Sequence, residues 1–344
     1  MKPLKVVALA ALATAAAVGA FASETAHFAP GLPSIRDFFV PEPGFYGIIY
    51  NWAYSSDRLN DRNGDEISVF TIPIPPDGLT LHVALDLDVY ALSPGVMWCS
   101  NWKVLGAKYG AYSVLSLANT SIGAALTTQT GTGRSMEESQ FNLGDWFIQP
   151  VWLGWTREHW DVALGYGFYA PIGKYDTEDV TFSNPITHEP LGTITAEAAD
   201  NIGLGFWTHQ FQGACGWYPW KDKRMAVAGT LTWEINGNKQ DFDLTPGQNL
   251  ALNWGVSEYL PLTKDKNVLL EVGPAGYNSW QITDDSGDDA VNPSVHDHVY
   301  GVGVQIGSIY VPWHVALNFR YIYEYAAADR FQGQSFGLNF AMGF

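Results

Sequence analysis

The C-terminus constrains this chain more than any other stretch. Phe336, Leu338, Phe340, Met342 and Phe344 fall on even positions, and Ser335, Gly337, Asn339, Ala341 and Gly343 fall between them. A period of two is the geometry of a β-strand, whose successive side chains point to opposite faces. The stretch before it repeats the pattern. Trp313, Val315, Leu317, Phe319, Tyr321, Tyr323 and Tyr325 share one face, and His314, Ala316, Asn318, Arg320 and Glu324 share the other, with Ile322 the exception. A strand this greasy on one face either covers the core of a soluble sandwich or faces lipid in a membrane barrel, with its polar face on the lumen.

The same test upstream predicts twelve strands, at about 44–56, 81–99, 106–118, 141–154, 159–171, 201–218, 224–236, 247–261, 267–281, 297–311, 313–325 and 331–344. The connections decide between sandwich and barrel. Through most of the chain, long ones (57–80, 119–140, 172–200, 237–246 and 282–296) alternate with short ones (100–105, 155–158, 219–223, 262–266 and the break at Pro312); the last, about 326–330, is short for its side. Transmembrane barrels have long extracellular loops, short periplasmic turns and an even strand count. A sandwich has no reason to alternate in this way. The expectation is an all-β, antiparallel, up-and-down transmembrane barrel of twelve strands, with fourteen as the competing count. Trp98, Trp102, Trp152, Trp155, Trp160, Trp217, Trp220 and Trp313 crowd the proposed short-turn ends, where an indole ring meets both lipid and water.

Composition narrows the function. The 344 residues carry a formal charge of −17, with 15% charged, 47% hydrophobic and 14% aromatic residues. A nucleic-acid binder needs a cationic surplus, and a disordered chain lacks this much apolar surface. No run after residue 22 approaches the ~18 apolar residues of a membrane helix. Lys2 and Lys5, the apolar run Val6 to Gly19 and the small-residue site Ala20-Phe21-Ala22 read as a signal peptide over 1–22. The mature chain is then an extension over 23–43 and a barrel over 44–344, exported to the bacterial outer membrane. Cys99 and Cys215 permit one disulfide, but nothing in their spacing brings them together.

Five stretches carry a family resemblance. They are Tyr54-Ser55-Ser56-Asp57-Arg58-Leu59-Asn60-Asp61-Arg62-Asn63-Gly64-Asp65, Gln149-Pro150-Val151-Trp152-Leu153-Gly154-Trp155, Gly165-Tyr166-Gly167-Phe168-Tyr169-Ala170-Pro171, Gly205-Phe206-Trp207-Thr208-His209-Gln210 and Asp329-Arg330-Phe331-Gln332-Gly333-Gln334-Ser335-Phe336. From about Gly44 to Phe344 the chain resembles the family known as "putative meta-pathway of phenol degradation". The resemblance implies an outer-membrane barrel that facilitates entry of small hydrophobic, above all aromatic, compounds. It implies no enzymatic step.

Candidate functional residues follow from the strand faces. A lumen would be lined by His82, Asp86, Asp88, Tyr90, Glu234, Asn318, Arg320 and Glu324. They would tune selectivity or pair as an ion network filling a modest barrel. The Pro-rich, aromatic extension, with His27, Phe28, Phe38 and Phe39, is irregular. By analogy with channels of the fatty-acid transporter type it is a candidate plug; the competing reading is a loose periplasmic tail. Asp61, Asn63 and Asp65 have part of the alternating spacing that presents oxygens to Ca²⁺. No other cofactor is implied. The expected partners are a hydrophobic or aromatic ligand, lipid and lipopolysaccharide around the wall, and the outer-membrane assembly machinery, whose signal the terminal Phe344 resembles. No nucleic acid is expected. H-E-x-x-H, G-x-S-x-G and G-x-x-x-x-G-K-[ST] are absent. A non-transporting surface barrel and an outer-membrane lipid hydrolase are the alternatives.

Overall fold

The computed structural model describes residues 26–72, 79–128, 131–138, 141–183, 190–198 and 201–344; at 69–72, 79–83, 124–128, 131–138, 180–183, 190–192 and 194 it describes the backbone only. The expected signal peptide over 1–22 lies outside the described residues. The strands are β1 (Gly44–Ser56), β2 (Val69–Ile72), β3 (Leu79–Val104), β4 (Ala107–Thr128), β5 (Gly131–Glu138), β6 (Asn142–Thr156), β7 (Trp160–Ala170), β8 (Thr177–Ser183), β9 (Pro190–Glu197), β10 (Thr208–Trp217), β11 (Met225–Asn236), β12 (Asn249–Pro261), β13 (Val268–Gln281), β14 (His298–Tyr310), β15 (Val315–Ala328) and β16 (Gln334–Gly343).

Twelve of them close a barrel. Around the wall, antiparallel neighbours run β1, β3, β4, β6, β7, β10, β11, β12, β13, β14, β15, β16, and β16 pairs back onto β1. Closure leaves no edge strand and satisfies the backbone without water, which is the condition for crossing lipid. The other four strands lie within long connections. β2 and β5 flank the upper part of β3 and β4, and β8 pairs with β9 in a separate hairpin. The expected strand 201–218 begins only at Thr208; residues 201–207 form a loop that carries Phe206.

Side-chain direction follows the lipid. Leu317, Phe319, Tyr323 and Tyr325 of β15 and Phe336, Leu338 and Phe340 of β16 are exposed on the outer face, while Asn318, Arg320, Ile322, Glu324, Ser335 and Asn339 are buried inside. The short turns are tight. Two residues join β3 to β4, and both have positive φ, Leu105 at 50° and Gly106 at 78°, as the twist of a two-residue hairpin requires. Trp102, Trp160, Trp217, Trp220 and Trp313 are exposed near these turns.

Trp152 departs from that girdle. A bulge between Ile148 and Val151 inserts one residue into β6. Gln149 and Trp152 are both buried while Val151 is exposed. The inserted residue reverses the alternation, and Trp152 enters the lumen.

β3 and β4 are the long strands, 26 and 22 residues against the ~9–11 that cross a membrane. Their upper parts therefore stand above the bilayer.

Candidate functional site

The lumen is filled by the chain's own N-terminal extension. Residues 26–43 run down the barrel from His27, beside Asp145 and Thr208 near the long-loop mouth, to Glu42, whose Oε1 accepts from Lys108 Nζ at 2.7 Å beside the short turn after β3. Ile35, Phe38 and Val40 are buried in it.

The two halves of the lumen grip this segment by different chemistry. Strands β11 to β16 present polar groups to its backbone. The amide of Phe28 donates to Glu234 Oε2 at 3.3 Å, Gly31 N to Asn253 Oδ1 at 2.9 Å and Ile35 N to Gln305 Oε1 at 3.0 Å. The carbonyl of Leu32 accepts from Asn339 Nδ2 at 2.9 Å, and that of Pro33 accepts from Arg320. An irregular segment inside a barrel needs such partners, because a buried unpaired peptide group costs about as much as a lost hydrogen bond. Arg36 closes the short-turn end. Its Nε donates to Glu271 Oε1 at 3.0 Å and Ser257 Oγ at 3.1 Å, and Nη1 and Nη2 reach the carbonyls of Lys223 and Arg224 at 3.0 Å each. The guanidinium lies 4.0 Å from the centre of the Tyr259 ring. On this side Gly255 makes room: a Cβ there would stand 2.5 Å from Ile35.

Strands β4, β6 and β7 are aromatic instead. From the mouth downward the rings run Phe206, His27, Tyr169, Phe147, Tyr112, Trp152. Neighbouring centroids are 4.9, 4.6, 4.6, 5.5 and 5.4 Å apart. Phe28, Phe38 and Phe39 of the plug pack on the lower part of this lane, around Trp152 and Ala163. Trp152 Nε1 donates to the Phe38 carbonyl at 3.2 Å. A cavity of about 10 Å³ between plug and wall, touching Ser34, Ile35, Phe38 and Arg320, holds no more than one water.

Glu234, Asn318, Arg320 and Glu324 face the interior and are buried. Glu324 on β15 ties one arc of the wall together: it accepts from Tyr54 on β1 at 2.9 Å, from Tyr277 on β13 and from the amide of Gly333 at 2.6 Å. His82 lies outside the residues whose side chains are described. Asp86, Asp88 and Tyr90 face outward, against expectation. Asp88 stands opposite Ser55, and Val89 opposite Tyr54, whose hydroxyl reaches Glu324 inside. Directly opposed residues share a face, so Leu85, Leu87 and Val89 turn inward. The reason is height. Above the bilayer the outer face meets water, and the rule that puts polar side chains in the lumen lapses. Tyr90 packs against Phe141 at 6.2 Å on that outer face.

Cys99 is buried and Cys215 is exposed on the outer face; both are free thiols. Asp61 uses its carboxylate to close its own turn, accepting from the amides of Asn63 at 2.8 Å and Asp65 at 2.9 Å. Those amides hold its carboxyl below the usual range, Asp65 contributing most. No cluster of three acidic, His or Cys side chains suited to a metal occurs among the described residues.

Strand alternation does not mark the aromatic lane. Tyr112, Phe147 and Tyr169 sit on three strands, and Phe206 lies in a loop within the expected strand 201–218. The one available signal was that Phe147, Trp152, Tyr169 and Phe206 lie in or beside the motif stretches.

Residues 45–186 and 188–340 match the model of the family described as "Putative MetA-pathway of phenol degradation". The chain belongs to this family. The fold of this phenol-degradation family member is similar to that of an outer membrane channel from Pseudomonas putida F1, at 11% identity and a TM-score of 0.57 over 91% of this chain and 100% of that one. It is also similar to the beta domain of the Bordetella autotransporter BrkA (10% identity, TM-score 0.45, 87% and 99% covered) and to the translocator domain of NalP from Neisseria meningitidis (10%, 0.43, 91% and 93%). None of the curated proteins matches it in sequence. The family member is an outer-membrane β-barrel with an occupied lumen.

Proposed function

We propose that this barrel is an outer-membrane channel through which small hydrophobic compounds, aromatic ones above all, pass down their own gradient, with residues 26–43 as its hatch. The aromatic lane on β4, β6 and β7 carries the reading. A greasy solute does not cross the lipopolysaccharide layer readily and gains nothing from a water-filled pore. A row of rings about 5 Å apart gives it successive stacking partners. Each stack is worth about 0.5–1.5 kcal/mol, enough to hold the solute and weak enough to release it.

The polar half supports the hatch. Its contacts are mostly single hydrogen bonds from separate strands to one backbone, each worth about 0.5–1.5 kcal/mol net. Displacing the segment exposes the lane and leaves the wall intact. The description of the family, and the channel of similar fold from Pseudomonas putida F1, agree with this reading.

The filled lumen favours a second reading, a barrel that transports nothing and serves as a surface protein. The hydrolase reading finds no support in the buried line of acid, imidazole and hydroxyl seen among the described residues. In Asp145–His27–Thr208 the hydroxyl of Thr208 already donates to Asn236 Oδ1 at 2.7 Å.

Uptake of a labelled aromatic, measured beside a polar solute of similar size in cells with and without the gene, separates the first two. Selective loss of aromatic uptake supports the channel. Loss of both indicates a general pore, and no change in either favours the surface barrel.

A further inference from the structure

We infer that the niche between Tyr169 and Phe206 is a binding site for an aromatic ring that carries a hydrogen-bond donor and no negative charge, such as a phenol or an aniline, and that His27 of the plug occupies it while the channel is closed. The inference rests on the channel reading above and names the ligand class of its first site.

The His27 ring is held as a bound ligand would be. It stacks on Tyr169 at 4.6 Å with 24° between planes, and meets Phe206 edge-on at 4.9 Å and 82°. The niche lies directly under the long-loop mouth, at the upper end of the lane.

Both polar partners of the ring are acceptors. Nε2 lies 2.9 Å from Asp145 Oδ2, and Nδ1 lies 2.9 Å from Thr208 Oγ1. Asn236 settles the direction at Thr208. Its Nδ2 donates to the Gly247 carbonyl at 2.7 Å and to Asn249 Oδ1 at 3.3 Å, so its Oδ1 takes the Thr208 proton. Thr208 is left with a lone pair toward the niche.

These acceptors belong to the barrel rather than to the plug. Asp145 is held by the amides of Gly173 at 2.9 Å and Leu204 at 2.8 Å, and those bonds persist when His27 leaves. A site built around a buried acceptor discriminates against a ligand with no donor to give it. An aromatic carboxylate would set its charge against Asp145 and Glu234, and like charges at close quarters are strongly disfavoured.

The test uses the purified full-length barrel in detergent, with His27→Ala, Tyr169→Leu and the double variant, each checked for folding by its heat-dependent mobility on a gel. The probes are phenol, toluene and benzoate, with binding read by saturation-transfer NMR. Emptying the niche raises the fraction of competent barrels, so His27→Ala should bind phenol more tightly than the parent. Removing the Tyr169 stack from that variant should weaken phenol about three- to tenfold. Toluene should bind more weakly than phenol, and benzoate should show no saturable binding.

Phenol binding that ignores both substitutions, or benzoate binding equal to phenol, overturns the inference. Flux of the same probes into liposomes separates it from the reading beneath it. Binding at the niche without flux sinks the channel and leaves the site. Flux that is equal in all the variants sinks the site and leaves the channel.

Discussion

The lumen has a polar half and an aromatic half, and they hold one segment for different reasons. β11 to β16 meet its backbone with Glu234, Asn253, Gln305, Arg320 and Asn339. β4, β6 and β7 meet its side chains with Tyr112, Trp152 and Tyr169. Hydrogen bonds to a backbone fix position and do not depend on what the side chains are. Ring contacts depend on shape and tolerate substitution by another ring. On the channel reading proposed above, the polar half closes the barrel and the aromatic half receives what passes.

Removing the segment is the sharpest way to break the comparison. Deletion of residues 26–41 should convert a barrel with little steady conductance in planar bilayers into one with a stable open level; an unchanged trace would make the plug a passenger. Within the polar half, Arg320→Ala should have the largest effect. Arg320 is fully buried near Asp37 and Glu271, and removing one partner of a buried charge set costs about 3–5 kcal/mol. Unchanged melting together with unchanged uptake would remove Arg320 from both roles.

A third test sets the outer wall against β3. Leu338→Lys places a charge on the lipid face and should cost about 2–4 kcal/mol near the midplane. Asp88→Lys, on the outer face above the bilayer, should be nearly silent in the same unfolding assay. Equal costs would return Asp88 to the membrane.

Gly255→Ala is smaller and more local. Its methyl would arrive 2.5 Å from Ile35, and overpacking of this kind costs about 1–3 kcal/mol. The expected outcome is more frequent channel opening at little loss of barrel stability. Gly154→Ala, 2.7 Å from Val40 on the aromatic side, is its counterpart.

The smallest effect is in the loop after β1. The Asp61 carboxyl is held below its ordinary value of 3.8. Its contribution to the turn is therefore complete above that value and lost as pH falls through the lowered one. Protection of the Asn63 and Asp65 amides from hydrogen exchange, taken relative to the intrinsic rate at each pH, should fall over that acidic window and stay constant above it.

Strands β15 and β3 show how far a sequence can be read. Both alternate cleanly. On β15 the apolar face is the lipid face, and Asn318, Arg320 and Glu324 lie inside where the alternation puts them. On β3 the same reasoning turned Asp86, Asp88 and Tyr90 to the wrong side, because alternation defines two faces without saying what lies beyond each. Trp152 failed for another reason. Gln149-Pro150-Val151 carries a bulge, and one extra residue inverts every facing after it.

Local order in the chain determined the barrel. Period-two patterning, alternating connection lengths and an even count are short-range properties, and lipid acts on each strand separately and in the same way. The tertiary structure alone decided what fills the barrel. The plug contacts Asn253, Gln305 and Asn339, which lie more than 200 residues from it in sequence. The aromatic lane lies on the consecutive strands β4, β6 and β7, but the bulge in β6 turns Trp152 into it, and the plug and the loop before β10 bring His27 and Phe206 to its upper end. Such contacts are set by where the wall curves back on itself, and no local periodicity encodes that.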